Sequence, residues 1–128
     1  MAAKNLLTRA EFQVMSILWN LPSQSGFTTD ILAHYDAPKP AYTTLATFLK
    51  ILTTKGFVTC KKQASKLHYT AKVDKKSYAR TYLEPLKDVF FDGNIATAVA
   101  FVLDGEALTV EQAENIAQAA RSRVVTAA

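Results

Sequence analysis

A mainly α fold with a small β-hairpin, arranged as a winged helix-turn-helix followed by a C-terminal helical region, is what three observations on this sequence predict. The stretch Ala41–Gly56 places Leu45, Phe48, Leu49 and Leu52 on one side at helical spacing, with Thr43, Thr44, Thr47, Lys50 and Thr54 on the other. A shorter helical pattern precedes it, and two short apolar runs around a lysine-bearing turn follow it. Charge is also unevenly spread: residues 1–80 hold twelve Lys/Arg against four Asp/Glu, a net +8, while residues 81–128 hold three against seven, a net −4.

In chain order, Thr8-Arg9-Ala10-Glu11 has the form of a capping box, so a first helix is expected from there. Leu7 and Phe12 are spaced to staple its start. Phe12, Met15, Leu18 and Trp19 form its inward stripe, which ends before Pro22. Ser23–Gly26 reads as a loop. Thr28 or Thr29 can cap a short second helix with Ile31 and Leu32 inward, stopped by Asp36-Ala-Pro-Lys-Pro40. The third helix ends at Lys55-Gly56, where glycine permits a left-handed cap and lysine suits the negative end of the helix dipole. Phe57–Lys62 and Leu67–Ala71 read as strands around Gln63–Lys66. That hairpin is the expected wing.

Asp74 is a fitting N-cap for a fourth helix, whose stripe of Tyr78, Tyr82 and Leu86 should carry the chain away from the winged region. Pro85 removes a hydrogen bond inside that helix, so a kink or break is expected there. Gly93-Asn94 marks a turn. Ile95, Ala98, Val99 and Val102 form a short apolar face, and Thr109–Gln112 is a second capping box that opens a last helix with Ala113, Ile116, Ala117 and Ala120. Helices shorter than about 12–15 residues are marginal alone in water, so these need a partner surface, and a second copy of the chain is the simplest source.

With 49% hydrophobic residues the chain can bury a core. One cysteine, Cys60, permits no internal disulfide and no thiolate metal site by itself, which suits a reducing compartment. No apolar run approaches the roughly 18 residues of a membrane span, and the first residues lack a signal-peptide core, so a cytoplasmic protein with no membrane partner is expected. His34 and His68 lie in different elements without companion ligands, and read as surface or packing residues rather than metal ligands. No Ser/His/Asp arrangement, glycine-rich phosphate loop or ligand cluster supports catalysis, so neither an enzyme nor a cofactor is expected.

The basic half and the third helix point to double-stranded DNA. Thr43, Thr44 and Thr47 are candidates for base edges and nearby phosphates, and Tyr42 at the helix start for a backbone phosphate. Lys39, Lys50, Lys61, Lys62 and Lys66 are candidate phosphate contacts. No Arg or Asn occurs on this helix to read guanine or adenine bidentately, so DNA shape should contribute to specificity. A reading from a different class is a winged helix that grips an acidic protein and binds no operator.

The chain resembles the BlaI/MecI family, the penicillinase and methicillin-resistance repressors, to which the copper-responsive CopY repressors are related. The resemblance rests on Leu7-Thr8-x-x-Glu11-x-x-Val14-Met15-x-x-Leu18-Trp19, on Ala41-Tyr42-Thr43-Thr44, on Leu52-x-x-Lys55-Gly56-Phe57-Val58 and on Tyr69 after the wing, and it spans roughly residues 6–122. It implies a homodimer that binds a palindromic operator and represses a resistance operon, with a winged-helix DNA-binding domain over residues 1–73 and a helical dimerisation region over residues 74–128. Tyr82, Leu86, Ile95, Val99, Val102 and Ile116 are the expected dimerisation residues. The β-lactam branch further implies a regulatory protease that cuts between Asn and Phe in the dimerisation helices. The matching pair here is Ala100-Phe101, with Ala in place of Asn. The C-terminal cysteine pairs of the copper branch are missing from this sequence, which argues against copper sensing of that kind.

Overall fold

The structure, a computed structural model, describes residues 6–125. It divides into two compact units, one ending at Leu86 and the other beginning at Lys87.

In the first unit, α1 (Arg9–Asn20) starts on the expected capping box: Glu11 N donates to Thr8 Oγ1 at 3.2 Å and Thr8 N donates to Glu11 Oε1 at 2.9 Å. Val14, Met15, Leu18 and Trp19 face the core, but Phe12 does not belong to the buried stripe. It is 44% exposed and meets Trp19 and Tyr78 through edge-on ring contacts at 6.3 and 6.2 Å. The position one turn earlier, Thr8, is already cap, so Phe12 lies at the rim of the core instead of inside it.

The expected loop at 23–26 is more ordered than its composition suggests. A 3₁₀ turn (Pro22–Gln24) leads into β1 (Ser25–Phe27), a third strand. Then α2 (Thr28–Ala33) begins directly on Phe27, so neither Thr28 nor Thr29 is its cap. Asp30 reaches back instead and accepts from Phe27 N at 2.8 Å. The helix buries Ile31, half-buries Leu32, and stops before the two prolines as expected.

α3 (Tyr42–Lys55) buries Leu45, Leu49 and Leu52 completely. It ends at Gly56, whose φ of +85° is a left-handed cap. A Cβ there would meet open space, so glycine answers only the backbone requirement. β2 (Val58–Gln63) and β3 (Lys66–Ala71) form the expected hairpin, joined by Ala64 and Ser65 at φ +48° and +67°. β3 is central in the antiparallel order β1-β3-β2, with Gly26 opposite Tyr69 on one side and Cys60 opposite Tyr69 on the other.

α4 (Lys75–Phe91) is capped by Asp74, which accepts from Lys76 N and Ser77 N, each at 3.2 Å. Its opening turns do not lead away from the winged region. Tyr78 is buried in that core, with its ring against Trp19 and Phe57 at 5.9 and 5.8 Å, and its hydroxyl accepts from Leu7 N at 2.9 Å. Trp19 Nε1 donates to Val73 O at 2.9 Å and ties down the segment just before the helix. The helix also runs unbroken through Pro85. The carbonyl that loses its amide partner is that of Thr81, half-buried next to the exposed residues 82–85.

The second unit holds the last turn of α4, α5 (Ile95–Leu103) and α6 (Val110–Arg121). Asn94 Oδ1 caps α5 through Thr97 N at 3.0 Å. The expected Thr109/Gln112 capping box opens α6, with bonds of 2.9 and 3.1 Å. Phe91 and Phe101 meet at 5.5 Å, and Ala98 is buried. Among the described residues, no helix is long and apolar enough to cross a membrane.

Candidate nucleic-acid interface

α3 is held from beneath and released above. Its three leucines anchor the inner face, and at its C-terminal end Lys55 Nζ meets Glu11 Oε1 of α1 at 2.7 Å. The chain then turns back, with Phe57 N donating to Leu52 O at 2.9 Å. A helix fixed at the bottom and at one end presents its outer face in a set orientation, as reading a groove requires.

That outer face carries Thr43, Thr44, Thr47, Lys50 and Thr54, all exposed, together with Tyr42 at the first helical position. Ala41 is the N-cap and supplies no side-chain acceptor, so the first amides of α3 keep no cap from their own helix. Free amides at the positive end of a helix dipole are suited to a phosphate, and Tyr42 stands beside them. Thr47 Oγ1 donates to Thr43 O at 3.0 Å and Thr54 Oγ1 to Lys50 O at 3.1 Å, so these two hydroxyls spend their hydrogens within the helix.

The structure separates the candidate lysines. Lys50 lies on the α3 face with the threonines. On the wing, Lys61 pairs with His68 and Gln63 with Lys66, whereas Lys62 pairs with Leu67. Side chains alternate along a strand, so Lys61 and Lys66 share one face of the hairpin, and Lys62 lies on the other, the face on which Cys60 and Tyr69 pack further down. Lys39 is engaged locally: its ammonium donates to Leu32 O and Ala33 O at 3.1 and 3.0 Å and satisfies the end of α2.

Electrostatics favour a polyanion here. Residues 37–73, from the end of the α2 turn to the end of the wing, contain seven lysines and no acidic residue. The acid next to α3 that matters, Glu11, is already neutralised. Burial pushes its carboxyl up, but hydrogen bonds from Lys55 and from the Thr8 backbone, the Lys55 charge and the Thr8 hydroxyl outweigh that, and it sits below the ordinary carboxylate range. Tyr69, in the central strand between Gly26 and Cys60, is pushed up to about 12, by burial first and then by the neighbouring Cys60 thiol and by Tyr42. It stays a neutral phenol.

A model of the penicillinase repressor family matches residues 7–122. The chain belongs to that family. No match accompanies it among the curated proteins. Penicillinase repressors are DNA-binding transcriptional regulators. Among the described residues, no three His, Cys, Asp or Glu side chains gather as metal ligands. His34 Nδ1 instead faces Asp30 O at 2.8 Å, and His68 packs edge-on to Phe27 at 4.8 Å.

The sequence-predicted residues of the second half lie mostly on open surface. Tyr82, Ile95, Val99, Val102 and Ile116 are exposed, and Leu86 is half-buried. Ala100 and Phe101 are exposed within α5, where Asp104 N donates to Ala100 O at 3.1 Å. Sequence reasoning misses the Glu11–Lys55 pair and the uncapped start of α3. The acid-free run over 37–73 is the signal that carries the electrostatics. The missing Ser, Thr, Asp or Asn at Ala41 is the signal for the open helix start.

Proposed function

We propose that this penicillinase repressor family member is a cytoplasmic homodimeric repressor. Each copy lays α3 along the major groove of one half of a palindromic operator. In this reading residues 1–73 bind DNA and residues 74–128 join the two copies. Thr43, Thr44 and Thr47 face base edges, Tyr42 and the free α3 amides meet a phosphate, and Lys50, Lys61 and Lys66 meet further phosphates. Lys62 is placed for a different strand or none, and Lys39 contributes charge while capping α2.

The observation that carries this reading is the exposed, acid-free Thr/Lys face of a helix whose other face is closed by leucines. Dimerisation is supported by the apolar surface of the second unit, where Phe90, Phe101 and Val102 are each about 70% exposed. Apolar surface left in that state on short helices asks for a partner. Cleavage at Ala100–Phe101 by a regulatory protease belongs to the same reading, since a cut inside α5 would dismantle the joining unit and release the operator.

A gel shift with the DNA upstream of the protein's own gene, against a scrambled duplex, tests the proposal. Tight, selective binding is expected, with log affinity falling by about 0.9 per phosphate contact against log salt. Thr44→Ala and Thr47→Ala should each weaken operator binding by about 1–3 kcal/mol and scarcely change binding to scrambled DNA. No preference for the upstream DNA, combined with capture of an acidic protein by the α3 face, would favour the protein-interaction module instead.

A further inference from the structure

α3 carries an unusual reading surface. Tyr42–Lys55 contains no Arg, Asn, Gln, Asp or Glu, so the side chains that make bidentate bonds to guanine or adenine, or that accept from cytosine, do not occur on it. Lys55 is held by Glu11. Lys50 lies across Thr47 and Thr54 from Ile51, on the flank suited to a phosphate. At the centre of the face, the Thr47 hydroxyl gives its hydrogen to Thr43 O, which leaves the exposed side chain a methyl and lone pairs but no donor for base acceptors. Thr54 does the same with Lys50 O. Beside them Ile51, a large aliphatic residue, is 39% exposed on a helix whose leucines are fully buried. Thr44, Thr47 and Ile51 stand at i, i+3 and i+7, so their methyl groups form a continuous apolar stripe along the side turned away from the core.

Only one base presents an apolar group in the major groove, the 5-methyl of thymine. We propose that α3 selects its operator by packing the Thr44–Thr47–Ile51 stripe against thymine methyl groups, with phosphate contacts supplying most of the affinity. This rests on the operator reading above and specifies what that site recognises. Discrimination is then carried by methyl burial rather than by hydrogen bonds to base edges.

The test uses the full-length chain and duplexes of the DNA upstream of its gene, synthesised with thymidine or with deoxyuridine, which pairs identically and lacks only the methyl. Replacing thymine by uracil should weaken binding about three- to fivefold per contacted methyl. Single substitutions should map the effect to matching positions in the two half-sites. Thr47→Ser, which removes the methyl and keeps the hydroxyl, should lower the thymine-over-uracil preference, while Thr47→Val, which keeps the methyl and removes the hydroxyl, should preserve it. Equal affinity for the two duplexes, with preference over scrambled DNA intact, overturns the methyl reading and leaves the operator reading standing. A loss of the preference with Thr47→Val that Thr47→Ser does not show makes the hydroxyl the reading group and also overturns it. Failure to distinguish the upstream duplex from the scrambled one overturns both.

Discussion

The two units of this chain treat apolar residues in opposite ways. Among the described residues, every buried apolar one except Ala98 belongs to the first unit, where Met15, Leu18, Ile31, Leu45, Leu49, Leu52 and Phe57 are sealed from water. In the second unit Val89, Phe90, Phe101, Val102 and Val110 are each more than two-thirds exposed. Both units cap their helices well: the Thr8/Glu11 box of α1 and the Thr109/Gln112 box of α6 have closely similar bond lengths. Local helix chemistry is therefore equal, and the difference lies in what the helices pack against. In the function proposed above, the unit with a closed core holds the reading helix rigidly by itself, whereas the unit with an open apolar face completes its packing against a second copy.

The sharpest way to break this contrast is a charge on the open face. Val99→Asp or Val102→Asp should turn dimers into monomers in sedimentation and lower operator affinity by about a hundredfold or more, because linked half-sites lose their effective concentration. A dimer undisturbed by either change would place the interface elsewhere. Matched aromatic truncations come next. Tyr78→Ala should destabilise the first unit by about 3–5 kcal/mol in denaturant unfolding, since it empties the space between Trp19 and Phe57 and leaves Leu7 N without its acceptor. Phe90→Ala, at an exposed site, should barely alter the unfolding of that unit and act instead on the concentration at which dimers form.

The smallest effect concerns the mounting of α3. The folded Glu11 carboxyl lies below its ordinary value, so its contribution is complete above the unfolded-state value and fades as pH falls through the lower folded one. Glu11→Gln should lower stability at neutral pH by about 1.5–3 kcal/mol, as expected for a charged hydrogen bond, and flatten the acid limb of the stability profile. An unchanged acid limb would mean that the Glu11–Lys55 pair does not hold the helix end.

Features whose cause lies within a few neighbouring residues are legible in the sequence. Thr8 and Glu11 are three apart, Gly56 ends its helix through its own φ, and the Leu45/Leu49/Leu52 side of α3 follows from helical spacing. The hairpin is equally plain, and its lysines can be counted, though which of them share a face depends on the register. β1 is illegible because Ser25-Gly26-Phe27 has no strand pattern of its own. It is extended because β3 offers a free edge whose backbone groups need partners. Tyr78 reads as the start of a departing helix, since nothing near it in sequence reveals that Leu7, seventy-one residues earlier, presents an amide to its hydroxyl.

Periodicity, capping and charge, all short-range properties of the chain, are enough to define a winged helix with a basic face. Long-range closure decides the rest: which oxygen of Glu11 receives Lys55, and that the opening turns of α4 are part of the first core. The reason is physical. Backbone preferences act over one turn, whereas burial and the pairing of buried polar groups depend on residues that meet only when the chain has folded.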